Sequence, residues 1–249
     1  MKKNQLVDPN MLSLQNHYAP TTNEIGFLKA DMHQIVDAYK EWQENIPREK
    51  KAVFAIKTVK ESLEAILSRL RPILRPVRDQ CAFIPTSSQW VAYFDNGSLG
   101  TDADSVILYL SRKIGCLGVK LVACPHTIVT ERKEATGSYG ALGLYYTDPS
   151  QEKEMGYTRI IHLSNDGGPW VFINFGTPFS FETTDNYAAK NKLDRFTFAQ
   201  LKKYLQELGI EGFEEKYYQP LTKGATIVER FDSSNNLFTK FFASSIGSL

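Results

Sequence analysis

A regular spacing of apolar residues near the start of the chain constrains its fold most. The positions are separated alternately by three and four residues, which is the seam of a three-heptad helix. They are Ile25, Leu28, Met32, Ile35, Tyr39, Trp42 and Ile46. Thr22 or Asn23 can cap the start of this helix. The pattern predicts one long amphipathic helix.

A second apolar series follows after Pro47, which interrupts the first helix. Its members are Val53, Ile56, Val59, Leu63, Ile66, Leu67 and Leu70. Because the connection is short, the two helices are expected to run antiparallel. The sequence therefore predicts a tail over residues 1–20 and a helical hairpin over residues 21–72.

The pattern changes to that of strands after the hairpin. Strands are predicted at residues 90–94, 119–124, 139–147, 157–164, 170–175 and 225–231. One helix should begin after Thr101, where Asp104 completes a capping box, and another after Thr197, where Gln200 does so. Residues 80–249 are thus predicted to form an α+β domain with a mainly antiparallel β-sheet and one or two packed helices.

The charge balance excludes some classes of function. The 29 basic and 28 acidic residues give a net charge of +1, so nothing global attracts nucleic acid or an anionic membrane. The three cysteines form no recognisable disulfide framework, which favours a reducing compartment. No apolar run approaches the roughly 20 residues that span a bilayer. A cytoplasmic protein is expected.

Two histidines are the candidates for catalysis. His126 lies two residues after Cys124 at the end of a predicted strand, where an imidazole could activate a thiol. His162 could act as a general base with Asp166 as its orienting carboxylate. Asp95 and Asp102 of the 95–104 loop could join them if the fold brings the loops together. A structural role is the alternative for each, because cysteine is usually buried and aspartates cap helices and turns.

No cofactor or metal site is predicted. The 95–104 loop joins a strand to a helix, a common place for a phosphate, but it lacks the lysine of a P-loop. Its carboxylates would repel a phosphate and do not match a calcium-binding loop. The cysteines and histidines also lack the spacing of zinc ligands.

Aromatic and arginine side chains are the candidates for binding a partner, since such residues are favoured in interface hot spots. Tyr39 and Trp42 lie on the predicted hairpin, Arg71 and Arg75 follow it, and Trp170 begins a strand. The arginines could instead complement the helix dipole, and the aromatic residues could fill the core.

Residues 90–218 resemble a family of uncharacterised bacterial proteins. The matching residues are 90–97 (WVAYFDNG), 100–102 (GTD), 125–127 (PHT), 165–168 (NDGG), 170–172 (WVF), 176–178 (Gly-Thr-Pro), 181–182 (Phe-Glu), 194–197 (DRFT) and 208–210 (LGI). The resemblance implies a bacterial origin and no established activity.

These observations favour a non-catalytic module that binds another protein, or a homo-oligomer formed through the helical hairpin. A bacterial immunity-type protein, which neutralises a toxin by covering it with the sheet or the hairpin, is the sharpest version. The alternative is a hydrolase that uses His126 or His162 with an aspartate of the 95–104 loop.

Overall fold

In the residues that the structure describes, the chain folds around an antiparallel sheet of nine strands. The computed structural model describes residues 18–47, 52–70, 79–97, 103–131, 134–151 and 156–232. The strands are β1 (Glu24–Leu28), β2 (Ala52–Val59), β3 (Asp79–Pro85), β4 (Val91–Asp95), β5 (Gly118–Cys124), β6 (Val129–Glu131), β7 (Glu134–Thr136), β8 (Ala141–Thr147), β9 (Arg159–Ser164), β10 (Val171–Phe175) and β11 (Ala225–Asp232). The helices are α1 (Met32–Asn45), α2 (Leu63–Arg69), α3 (Ala103–Ile114), α4 (Phe198–Glu207) and α5 (Pro220–Lys223).

The strand order across the sheet is β10-β9-β8-β5-β1-β4-β3-β11-β2, and β6 pairs with β7 in a separate hairpin. All pairs are antiparallel. Strands β10 and β2 therefore form the two edges. The α+β class with a mainly antiparallel sheet is confirmed.

The helical hairpin predicted for residues 21–72 is wrong. The first apolar series is split between β1 and α1, and Asp31 caps α1 by accepting a hydrogen bond from the backbone N–H of His33. In the second series, Val53, Ile56 and Val59 belong to β2, which pairs with β11. Only α2 remains of the second helix, so no long two-helix seam exists to support an oligomer.

The two sides of the sheet are covered differently. One side, here the helical face, packs against α1 and α3 through a core that includes Leu28, Ile35 and Ile107. The other side, here the loop face, packs against α2, α4 and nearby connections through a larger core that includes Phe27, Leu67 and Tyr204. Residues alternate between the two faces along each strand.

Several predicted elements are confirmed. The helix predicted after Thr101 is α3, and it ends before Gly115, whose φ of 75° is the left-handed conformation of a helix C-terminus. The helix after Thr197 is α4, with both hydrogen bonds of the capping box in place. The predicted strands over 119–124, 139–147, 157–164 and 170–175 correspond to β5, β8, β9 and β10.

Candidate functional site

The helical face is covered along only part of the sheet. Helix α3 contacts β1, β4 and β5, and α1 contacts β2 and β3. The main contacts of these two helices are with strands β1 to β5, and exposed side chains appear on β10 at the sheet edge. We call the part of the helical face on β8, β9 and β10 the open face. Its positions are Ala141, Gly143, Tyr145, Ile160, His162, Ser164, Val171, Ile173 and Phe175, which strand register places on one side.

The outer strand of the open face presents aliphatic side chains to solvent. Val171 is 44% exposed and Ile173 is 42% exposed. Ile173 is paired with His162 on β9, and Val171 is paired with Ser164. On the loop face of the same strand, Phe172 is partly buried against the core. β10 therefore has one packed side and one apolar side that is left in solvent.

A polar cluster forms the border between α3 and the open face. Lys120 on β5 donates a 2.6 Å hydrogen bond to Asp104 in the first turn of α3, and its ammonium lies 3.7 Å from Glu24. Tyr157 donates a 2.5 Å hydrogen bond to the other carboxylate oxygen of Asp104. The Lys120 ammonium also lies 4.2 Å from the ring centre of Tyr145, a cation–π contact.

The close packing of α3 explains why Lys120 extends toward this border. Lys120 is paired with Gly26 on β1, and a Cβ atom on Gly26 would lie 2.6 Å from Ile107 of α3. A helix this close to the sheet leaves no room for a lysine beneath it. The Lys120 side chain is only 5% exposed, while that of Asp104 is 45% exposed. Of this ion pair, solvent therefore reaches mainly the Asp104 carboxylate.

His162 lies in the middle of the open face and is largely buried. Its ring packs on Tyr145 with the ring centres 5.5 Å apart, and its Nδ1 atom has no hydrogen-bond partner among the described residues. Burial and the Lys120 charge lower the pKa of His162 to about 4, although Asp104 acts in the opposite direction. The imidazole is therefore neutral near pH 7. A base this weak is poorly matched to proton abstraction at neutral pH.

Cys124 and His126 do not assemble into an activated thiol. Burial, with a smaller contribution from Glu24, raises the pKa of Cys124 to about 12, so the thiol stays protonated. The Nδ1 atom of His126 accepts a hydrogen bond from the backbone N–H of Gly140 at 3.1 Å. The His126 ring packs edge-on against Trp170. His126 thus belongs to a packed aromatic group at the end of the sheet.

Two of the residues predicted to bind a partner lie at the other end of the helical face. Tyr39 is buried against Phe83 and Tyr93. Trp42 is half-buried and stacks on Tyr109 of α3, with the ring centres 4.6 Å apart. Both rings serve mainly to join α1 to the sheet and to α3.

Asp95 is separate from both histidines in its contacts. Its carboxylate accepts hydrogen bonds from the Tyr93 hydroxyl and from the backbone N–H of Gly97, at the end of β4. Asp102, Arg71 and Arg75 lie outside the described residues. Trp170 is half-buried beside His126, and its carbonyl oxygen accepts a hydrogen bond from Lys192.

The loop face carries a second charged cluster, which is fully enclosed. Arg159 on β9 makes two hydrogen bonds to Glu182, at 2.9 and 2.6 Å, and both side chains are 0% exposed. Arg159 also donates to the side chain of Asn174 and to the carbonyl of Phe175. Tyr187 donates a further bond to Glu182. This network attaches the segment after β10 to the sheet.

The polar border cluster was not predicted from the sequence, except that its Asp104 lies in the 95–104 loop named for His162. Its signal is a lone lysine inside the apolar strand GVKLVAC. Lysine is almost never fully buried without a partner, so such a position implies a nearby carboxylate. Finding that carboxylate requires the strand register, because Glu24, Asp104 and Tyr157 are far apart along the chain.

Comparison with known proteins found no matching family model, no matching curated protein and no matching solved structure. Within the described ranges, no group of three or more His, Cys, Asp or Glu side chains is arranged to hold a metal ion. None of the helices in those ranges is both long enough and apolar enough to cross a bilayer.

Proposed function

We propose that this chain is a protein-binding module and that its partner docks on the open face. One observation carries the proposal: aliphatic side chains of β10 stand in solvent beside the half-buried His162, while α1 and α3 pack on the central strands of the same face. Exposed apolar patches with polar borders are typical of interaction sites.

The charges around the open face define the partner that fits. Val171 and Ile173 require an apolar patch opposite them. The Asp104 side chain at the border is 45% exposed, so a lysine or arginine of the partner would find a carboxylate there. We therefore propose a partner whose docking surface is apolar at its centre and basic at its rim.

The sharper version of the proposal is an immunity-type protein of bacterial origin. By covering the functional surface of a toxin with the open face, the chain would block it sterically. A toxin-like open reading frame beside the gene would support this version, and the lack of one would weigh against it.

The positions of the candidate catalytic residues support the hydrolase alternative less well than they support a protein-binding module. His162 and Asp104 interact electrostatically, as that alternative needs, but Lys120 and Tyr157 already occupy both oxygens of Asp104. The neutral His162 and the protonated Cys124 supply neither a strong base nor a thiolate. This alternative stays a prediction, and turnover of a hydrolase substrate panel that is abolished by His162→Gln would support it.

The experiment that tests the proposal is affinity capture from the native bacterium with three forms of the chain. The natural chain is compared with Ser164→Lys, which places a charge within the open face and away from the sheet edge. The matched control is Val53→Lys, because Val53 is 46% exposed on the opposite edge strand β2.

We expect the natural chain and Val53→Lys to retain the same partner near equal stoichiometry. Ser164→Lys should reduce its capture at least about tenfold, which corresponds to 1.4 kcal/mol or more. Capture of no specific partner by the natural chain, or equal capture by Ser164→Lys, would contradict the proposal.

A further inference from the structure

The two edge strands of the sheet differ in whether they carry charged residues that protect them from pairing with another strand. Edge strands expose unpaired backbone groups, and proteins commonly protect them with lysine, proline or a bulge. β2 carries the exposed Lys57 within the strand, and Lys60 follows directly after it. β10 has the sequence VFINF, with no charged residue and no proline. Only one of the two edges is protected.

The backbone of β10 is also largely unoccupied on its outer side. Among the described residues, β10 pairs with β9 alone, and Arg159 donates to the carbonyl of its last residue, Phe175. The exposed side chains Val171 and Ile173 project from one face and Asn174 from the other. This combination of free backbone and apolar surface is what a further strand requires.

We propose that β10 pairs with β10 of a second copy of this chain, antiparallel and centred on Ile173. In this register Ile173 faces Ile173 of the partner, Val171 faces Phe175, and Phe172 faces Asn174. All five residues are uncharged, so the self-pairing brings no like charges opposite one another. A strand with no charge of either sign fits a copy of itself better than it selects a charged partner.

Charges flanking the strand do not oppose this pairing. Arg159, which donates to Asn174 and Phe175, is neutralised by Glu182, and Lys192 donates to the carbonyl of Trp170 at the start of β10. Antiparallel pairing places the two copies of Trp170 at opposite ends of the new strand pair. Six residues of strand separate them by about 20 Å, which exceeds the screening length of about 10 Å at 0.1 M salt.

The symmetry of the pair has a consequence for binding. An antiparallel pair of identical strands has its two-fold axis perpendicular to the sheet, so the open faces of both copies lie on the same side. The β8, β9 and β10 strands of the two copies would then form one continuous surface with Val171 and Ile173 at its centre. The use of this surface by a partner rests on the proposed function, whereas the pairing itself does not.

The purified full-length chain provides the test, since no other protein is involved. Sedimentation should show a dimer that dissociates on dilution. Ile173→Lys should weaken it at least about tenfold because two lysines then face each other, and Val53→Lys should leave it unchanged. An equimolar mixture of Ile173→Lys and Ile173→Glu should dimerise again. A natural chain that is monomeric at all concentrations, or an undiminished Ile173→Lys dimer, would overturn the proposal.

A cysteine pair tests the register and does not depend on the folding of a charged variant. Ile173→Cys should form an intermolecular disulfide under mild oxidation. Val171→Cys should not, because its own copy would lie about 13 Å away, beyond the 7 Å limit between Cα atoms. The natural chain, which already contains Cys81, Cys116 and Cys124, is the control. Equal cross-linking of both variants would overturn the register, and cross-linking of neither would overturn the pairing.

Loss of the dimer and failure of the proposed function are distinguishable. Sedimentation measures only self-association, while capture with Ser164→Lys measures only the partner. A monomeric chain that still captures its partner through the open face would refute the pairing and leave the proposed function intact.

Discussion

Two buried cations of the sheet, Arg159 on β9 and Lys120 on β5, lie on opposite faces and are paired in different ways. Arg159 and Glu182 are both 0% exposed, and additional hydrogen bonds from Tyr187 and to Asn174 complete their network. Lys120 is equally buried, but its partner Asp104 is 45% exposed. The enclosed pair fixes a chain segment, whereas the half-open pair borders a surface that other molecules can reach.

The largest expected loss of stability comes from breaking the enclosed ion pair, and breaking the half-open pair should cost less. Glu182→Gln leaves the Arg159 charge buried without its counter-ion and should lower the free energy of unfolding by about 3–5 kcal/mol. Asp104→Asn should cost only about 1–2 kcal/mol, because water and Glu24 still reach Lys120. Urea unfolding of both variants measures the two values. Equal losses would remove the distinction between an enclosed and a half-open cluster.

Acid should weaken the open face through His162. Its pKa is about 4 in the folded chain and 6.5 as the ordinary value, so the unfolded chain binds more protons between these pH values. The stabilisation is complete above about pH 6.5 and is lost as the pH falls toward 4, with a maximum of about 3 kcal/mol. Unfolding at pH 7 and pH 4.5 measures it.

The matched variant for this pH test is His162→Gln, which cannot take up the proton. The natural chain should lose more stability than this variant over the same pH interval. Identical losses in both would show that His162 does not carry the effect and that its burial matters less than the geometry implies.

Two glycines sharpen the comparison between the covered and open parts of the helical face. A Cβ atom on Gly26 would lie 2.6 Å from Ile107 in the packed core, so Gly26→Ala should cost about 2–3 kcal/mol. A Cβ atom on Gly143 would lie 2.8 Å from the half-buried rings of His162 and Tyr145 and 3.1 Å from the Cβ atom of Val122. Because half-buried rings shift more readily than the buried Ile107, Gly143→Ala should cost less, about 1 kcal/mol. Thermal unfolding of both compares them, and a larger loss for Gly143→Ala would indicate a rigid, enclosed site.

The smallest expected effect concerns the variants used for binding. Ser164→Lys and Val53→Lys each change a side chain at the surface of the sheet, and each should change the free energy of unfolding by no more than about 0.5 kcal/mol. Urea unfolding provides the check. A large loss for Ser164→Lys would mean that the open face is covered in the free chain.

The elements that local sequence signals determine were predictable. The capping box of Thr197 and Gln200 locates α4, and alternating apolar residues locate β8, β9 and β10. Each signal lies within the element that it predicts, so no distant contact was needed to recognise it.

The hairpin could not be rejected from sequence because its second half depends on a distant partner. Val53, Ile56 and Val59 are spaced like a helical stripe, but they are β-branched residues that suit a strand. The residues that make them a strand belong to β11, about 170 positions later. Without knowledge of β11, the regular apolar spacing favoured a helix, whose backbone hydrogen bonds join residues close together in the chain.

The candidate site depends on distant contacts in the same way. Asp95 and Asp102 were the aspartates predicted to join His162, but Asp95 accepts hydrogen bonds from Tyr93 and Gly97, and Asp102 lies outside the described residues. The aspartate that acts on the pKa of His162 is Asp104, which the sequence indicated as a helix-capping residue. Lys120, Tyr145 and Tyr157 become neighbours only through strand register and the approach of α3. Several elements contribute one side chain each, so no short sequence motif contains the residues of the cluster.

Hydrogen exchange on the complex with the captured partner is the best measurement of whether the partner docks on the open face. Exchange of the free chain is compared with that of the complex, peptide by peptide. We expect the backbone amides of residues 141–147, 159–164 and 171–175 to exchange more slowly in the complex, with little change in α1 or in 225–232. Added protection confined to α1, β2 or β11, with none in β9 and β10, would contradict docking on the open face.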